Sequence, residues 1–174
     1  MLRHIAWFNE ASIEPDPKGG LRSSDERVCR RCLEPAAVLE DKGIDCSVFG
    51  NLQDADPTEV CSLLQKLNTD IVVIGVSTNS TLLKLARAAK HLGCLIIADF
   101  ADQTTVTPGF EKLAALADHI VAATPAAVEA LLASKLESSL VPDNGYEAWL
   151  DCFKSLKMKP PACANSNTPP SENA

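Results

Sequence analysis

Carboxylates and small polar residues follow the apolar runs of this chain. Asp99 closes the run Leu95 to Phe100 (LIIADF), and Asp102 stands three residues further on. Two carboxylates at that spacing can do acid–base work or hold a metal ion or a sugar hydroxyl. Aspartate at such a corner also caps turns and helices, so the structural role stands beside the chemical one. Ser77 and Asn79 follow the run Ile71 to Val76, and Thr124 follows Ile120 to Ala123. Gly19-Gly20 precedes a helical segment. Paired glycines there let backbone amides approach an anion, and Arg22 and Arg27 add positive charge. A flexible turn accounts for two adjacent glycines nearly as well. The candidate ligand-binding set is therefore Gly19, Gly20, Arg22, Ser77, Asn79, Asp99, Asp102 and Thr124.

Other chemistries find less support. Cys29-Arg30-Arg31-Cys32 is a CxxC, and its arginines favour a thiolate. The pair stands some twenty residues beyond the first strand, which is far for a redox motif, and small buried thiols are the ordinary reading. Cys46, Cys61, Cys94, Cys152 and Cys163 are single, with no second ligand pair for zinc. His4, His91 and His119 lie at element edges, and no G-x-S-x-G elbow provides a triad serine. After the first strand the chain reads NEASIEPDPKGGLRSS, which contains no dinucleotide fingerprint, and no Walker A sequence occurs. Neither a cofactor nor a metal is expected.

These residues need a scaffold, and the apolar pattern describes one. His4 to Phe8, Cys46 to Phe49, Ile71 to Val76, Leu95 to Phe100 and Ile120 to Ala123 read as strands, with a short sixth at Leu140 and Val141. The middle runs are apolar on both faces, as in strands covered by helices. Between them Val60, Leu63, Leu64 and Leu67 fall at i, i+3, i+4 and i+7. So do Leu82, Leu85, Ala86 and Ala89, and Phe110, Leu113, Ala114 and Ala117. Thr124-Pro125 starts another helix, with a hydroxyl to cap and proline at the first turn. The alternation predicts an α/β fold: a three-layer Rossmann-like domain with a mostly parallel sheet of about six strands. A flavodoxin-like strand order is the alternative. Helix one has a face at Val28, Cys32, Ala36 and Leu39, but Pro35 predicts a kink or break. Asn9 to Ser24 reads as a long loop. Tyr146, Trp149, Leu150 and Phe153 predict an amphipathic helix over 146–158, and the Pro-, Ser- and Asn-rich residues 159–174 read as disordered. Ligands of open parallel sheets bind beyond the carboxyl ends of the strands, where most of the candidates lie.

The chain has 174 residues, 46% hydrophobic and 22% charged, with a net charge of −7. That composition suits a domain with a full core. The acidic balance speaks against a nucleic-acid partner. No run is long enough for a membrane span, the N-terminus lacks signal-peptide features, and seven irregularly spaced cysteines point to a reducing cytoplasm.

Several segments, in order, resemble the N-terminal domain of GT-B glycosyltransferases of the family-4-like group. Gly19-Gly20-Leu21-Arg22 is similar to the family's glycine-rich loop after strand one. Arg31-Cys32-Leu33-Glu34-Pro35-Ala36, with Leu39 to Asp45, looks like its R-x-x-P-A helix leading to strand two. Leu82 to Gly93 followed by Ile96-Ile97-Ala98-Asp99 is similar to the helix and V-x-D strand. Ala117 to Pro125 resembles the A-D-x-V-x-x-x-T element, and Val141-Pro142-Asp143 the I-P-D hinge. The resemblance spans residues 1–145. It implies a Rossmann-like acceptor-side domain that takes a sugar or glycoconjugate acceptor. Family enzymes work in a cleft between this domain and a donor-binding one, and residues after 145 read only as a helix and a tail. The expected role is therefore a non-catalytic binding or interaction module. The alternatives are the acceptor-binding subunit of a split glycosyltransferase, needing a separate donor-domain protein, and a small enzyme of another class using Asp99 and Asp102.

Overall fold

The computed structural model describes residues 2–75 and 80–156. The elements run β1 (His4–Phe8), β2 (Glu14–Pro15), β3 (Leu21–Arg22), α1 (Glu26–Val28), a π turn (Cys29–Leu33), α2 (Glu34–Asp41) and β4 (Asp45–Phe49). A 3-10 turn (Leu52–Asp54) leads to α3 (Pro57–Lys66), β5 (Ile71–Gly75), α4 (Ser80–His91), β6 (Leu95–Asp99) and α5 (Pro108–Ala114). The last elements are β7 (His119–Ala122), α6 (Pro125–Ala133), β8 (Ser139–Leu140) and α7 (Tyr146–Ser155). Ser77, Asn79 and the segment 159–174 lie outside the described residues.

Six strands form one parallel sheet in the order β4-β1-β5-β6-β7-β8. The fold is the α/β Rossmann-like sheet that the apolar pattern predicts. Numbered by the parallel strands alone, the order is 2-1-3-4-5-6, the flavodoxin-like arrangement extended by one strand. Chain direction reverses after β4, so the topological switch point lies between β1 and β5.

Alternation along the strands divides the core. Ala6, Phe8, Val72, Ile74, Ile96, Ala98, Ile120 and Ala122 pack under α3, α4, α5 and α6 through Leu64, Leu82, Leu85, Phe110 and Leu131. Ile5, Trp7, Ile71, Val73, Leu95, Ile97 and Val121 pack under the first helix and α7 through Val28, Cys32, Leu39, Trp149 and Phe153. Trp7 meets Trp149 edge to face at 5.0 Å, and Trp149 stacks on Phe153 at 5.5 Å. The stripes at Leu82, Leu85, Ala86 and Ala89 and at Phe110, Leu113 and Ala114 are the buried faces of α4 and α5.

Two segments differ in form from their sequence reading. The loop 9–24 contains a small antiparallel hairpin, β2 with β3, whose tip holds Gly19 (φ 102) and Gly20 (φ 80) in conformations that favour glycine. Its approach brings Ile13 and Ala11 against Gly50, where any Cβ would stand 2.8 Å from Ile13 Cβ. The first helix does not break at Pro35. Cys29–Leu33, ahead of it, widen into the π turn, and the Glu34 N–H bonds back to Cys29 O. The proline ring, lacking an N–H, then opens α2 as a first-turn residue. The added residue turns both Arg31 and Cys32 inward, where they are 4% and 2% exposed.

Candidate functional site

The π turn places an arginine where a regular helix of this register would face a side chain outward. Arg31 Nε donates to Asp99 Oδ2 at 2.9 Å and Arg31 Nη2 to Asp99 Oδ1 at 2.6 Å, a two-point pair buried on both sides. Arg31 Nη1 donates to the Val141 carbonyl and stands 3.6 Å from Asp143 Oδ1. The guanidinium also lies 5.1 Å from the centre of the Trp149 ring. Burial opposes its charge, but the attraction and hydrogen bonds of Asp99, followed by Asp143, outweigh burial and raise its pKa above the ordinary value. One side chain thus ties the first helix to the end of β6, the 141–143 corner and α7.

Asp99 is engaged at both oxygens. Its Oδ1 also accepts the Ala101 N–H at 3.0 Å, holding Ala101 in the left-handed region at φ 54. Asp102 is exposed and pairs with Arg27 at 3.2 Å. No bond links the two aspartates among the described residues: each is held by a different arginine, on opposite sides of a tight turn. The spacing that suggested paired carboxylates is the spacing of that turn.

A cleft opens beside this lock at the carboxyl ends of β1, β5 and β6, on the switch point. Trp7, Val28 and Val73 form its apolar floor, and Asn9, Glu10, Asp25, Arg27, Arg31 and Asp99 supply its polar groups. The interior is about 90 Å³, room for a few waters or one polar end of a ligand. Asp25 caps the helix, accepting from the Arg27 N–H at 2.8 Å and the Val28 N–H at 3.4 Å. The first helix therefore carries its own carboxylate where a phosphate would otherwise bind.

The other candidates are dispersed. Gly19 and Gly20 line a separate groove beneath the hairpin, beside Glu34 and Glu40 rather than beside bound arginines. Arg22 is exposed and pairs across the hairpin with Glu14 at 3.1 Å. Thr124 caps α6 through the Ala127 N–H at 3.2 Å, at the end of β7. Asn9, Glu10 and Asp25 line the cleft but are absent from the candidate set. Their signal was available for Asn9 and Glu10, the first two residues past β1, and weak for Asp25, whose place depends on the fold of the loop.

The CxxC reads differently in three dimensions. Burial pushes the Cys32 thiol up to about 12, against a hydrogen bond from Asn9 Nδ2 at 3.2 Å. Arginines next to it in sequence do not lower its pKa, because Arg31 spends its charge on Asp99. The Cys29 thiol donates to the Ser23 carbonyl at 3.4 Å. Among the described residues no group of three or more His, Cys, Asp or Glu side chains is placed to hold a metal ion. No described helix is long and apolar enough to cross a membrane.

No family model matches the chain, and no curated protein matches it in sequence. Among solved structures, MurG of Acinetobacter baumannii, a GT-B glycosyltransferase, aligns with a TM-score of 0.57 at 11% identity, over 80% of this chain and 45% of MurG. The chain therefore spans less than half the length of MurG. The microbiome-derived acarbose kinase Mak1 aligns at TM-score 0.45 and 10% identity, over 80% of this chain and 68% of that one. A de novo designed Rossmann 2x3 protein aligns at 0.39 and 11%, over 91% and 95%. At such identities the likeness to MurG is one of fold alone, a Rossmann-like domain.

Proposed function

We propose that this chain is a glycosyltransferase-like, acceptor-side domain that acts as a non-catalytic binding module for a sugar or glycoconjugate. One observation carries the reading: the switch-point cleft presents neutral and charged hydrogen-bonding groups, while its buried carboxylate is already satisfied. Asn9, Glu10 and Arg27 offer the mixed donors and acceptors that hydroxyl groups need. Asp99 accepts three hydrogen bonds, two from Arg31 and one from the Ala101 N–H, so its carboxylate is committed to the lock rather than presented to a ligand. Asp102 and Thr124 follow β6 and β7 at the same edge of the sheet and complete the proposed binding surface.

The test is calorimetry with the full chain against a monosaccharide panel and against UDP- and GDP-sugars. Sugar binding weakened at least tenfold by Arg27→Ala and by Glu10→Ala, with thermal midpoints unchanged, supports the reading. Nucleotide sugars should show no binding, because Asp25 fills the helix terminus a diphosphate would use. Micromolar binding of a nucleotide sugar overturns the proposal. A second reading, the acceptor subunit of a split glycosyltransferase, is favoured by the alignment of this chain with 45% of MurG. Sugar transfer that appears only when a donor-domain protein is added selects it.

A further inference from the structure

The groove beneath the hairpin is distinct from the cleft and larger, at about 390 Å³. Its floor is β4, the end strand of the sheet, which pairs with β1 on one side and with no strand on the other among the described residues. Cys46 and Val48 point into the groove, while Ser47 between them turns to the opposite face and bonds His4 Nε2 at 2.9 Å. One wall is α2, where Ala36 and Ala37 leave room; the other is the hairpin tip, Gly19 to Leu21, with Leu21 48% exposed. The charge along the α2 wall is of one sign. Glu34 and Glu40 both line the groove, and no described cation pairs with Glu40. Burial pushes the Cys46 thiol up to about 12, opposed by the Trp7 side chain and with Glu40 and Asp45 adding to the rise.

An open strand edge offers unpaired backbone donors and acceptors, and a groove beside it takes every second side chain of an added strand. We infer that this groove binds an extended peptide segment that adds to the free edge of β4, with every second side chain directed into the groove, an apolar one toward Cys46 and Val48 and basic ones toward the Glu34–Glu40 wall. The length of β4, five residues, sets the length of the paired segment. The acidic wall selects Lys or Arg over Asp or Glu, and the small residues at 36 and 37 admit side chains of valine or leucine size. The inference rests on a different surface from the sugar cleft and stands or falls separately.

The probe is a fluorescein-labelled pentapeptide Lys-Thr-Val-Thr-Lys, which directs two lysines and a valine to one face, with Glu-Thr-Val-Thr-Glu as control, titrated into the full chain by anisotropy and by amide NMR. Saturable binding of the lysine peptide, at least tenfold tighter than the glutamate peptide, is expected. Amide shifts should centre on residues 46–48 and on Ala37. Ala37→Trp, at an exposed position, should abolish binding by filling the groove without lowering the thermal midpoint. Glu40→Lys should reverse the peptide preference. The inference is overturned by no saturable binding at millimolar peptide, by binding that ignores both substitutions, or by shifts centred on Arg27 and the cleft. A concentration-dependent mass that Ala37→Trp abolishes overturns it too, since the edge would then pair with a second copy.

Discussion

The two faces of the sheet solve the same packing problem differently. On the face under α3 to α6 the core runs apolar from Phe8 and Leu64 to Phe110 and Leu131 with no buried ion pair among the described residues, and α4 and α5 keep regular stripes. On the face under the first helix and α7 the apolar core surrounds a buried ion pair, and the covering helix is distorted to deliver it. An apolar layer tolerates approximate fit and is built from local periodicity. A buried charge tolerates none, because an unpaired partner carries its full desolvation penalty. The cleft lies on the second face, so the groups that shape it are held more rigidly than periodic packing alone would hold them.

The largest expected effect comes from breaking the lock on one side. Asp99→Ala leaves Arg31 buried without its carboxylate and should destabilise by about 3–5 kcal/mol, read by chemical denaturation. Arg31→Met with Asp99→Leu should recover most of that loss, since matched apolar replacements are often neutral. A double variant as unstable as the single one would show that the pair also organises the 141–143 corner. On the other face Leu85→Ala, fully buried and without polar partners, should cost about 2–5 kcal/mol through cavity formation alone.

Acid provides a graded comparison of the sheet edges. His4 on β1 bonds Ser47 on β4 and Thr69 just before β5, and His119 bonds Ser139 across β7 and β8. Burial lowers both pKa values below the ordinary 6.5. Between the folded and unfolded values the unfolded chain binds more protons, so stability is complete above pH 6.5 and falls as the pH drops toward the folded values. The thermal midpoint should decline over that window, and His4→Gln should reduce the slope. A midpoint that stays flat from pH 7.5 to 5 contradicts the assignment.

Smaller effects follow. Thr124→Ala removes the α6 cap and should cost about 1 kcal/mol. Ala101→Gly should relieve the left-handed alanine and stabilise by up to about 1 kcal/mol. Arg22→Ala, which removes an exposed pair on the hairpin, should leave the midpoint unchanged, in contrast to the loss of the buried Arg31 pair.

The fold was legible where the signal is local. The strand expected at His4 to Phe8 is β1, and β5 lies within the run expected at Ile71 to Val76. The stripes of α4 and α5 face the core through Leu82, Leu85, Phe110 and Leu113, whereas in α3 only Val60 and Leu64 do, Leu63 and Leu67 being exposed at the margin of the layer. Pro35 was legible as a perturbation but not as a π turn, because whether a helix breaks or widens depends on what its inner face must reach. Asp99 stood out in the sequence for ending an apolar run. Its partner did not, because Arg31 lies 68 residues away and resembles the arginines beside it.

Period-two and period-3.6 patterns act over a few residues, so composition and apolar spacing alone determined a parallel α/β sheet with helices on both sides. Strand order, the separation of Gly19-Gly20 from Asp99, and the closure of Asp99 by Arg31 were decided only in three dimensions. Each depends on which distant groups the packed chain brings within hydrogen-bonding reach, and in the sequence those groups carry no mark of their partners.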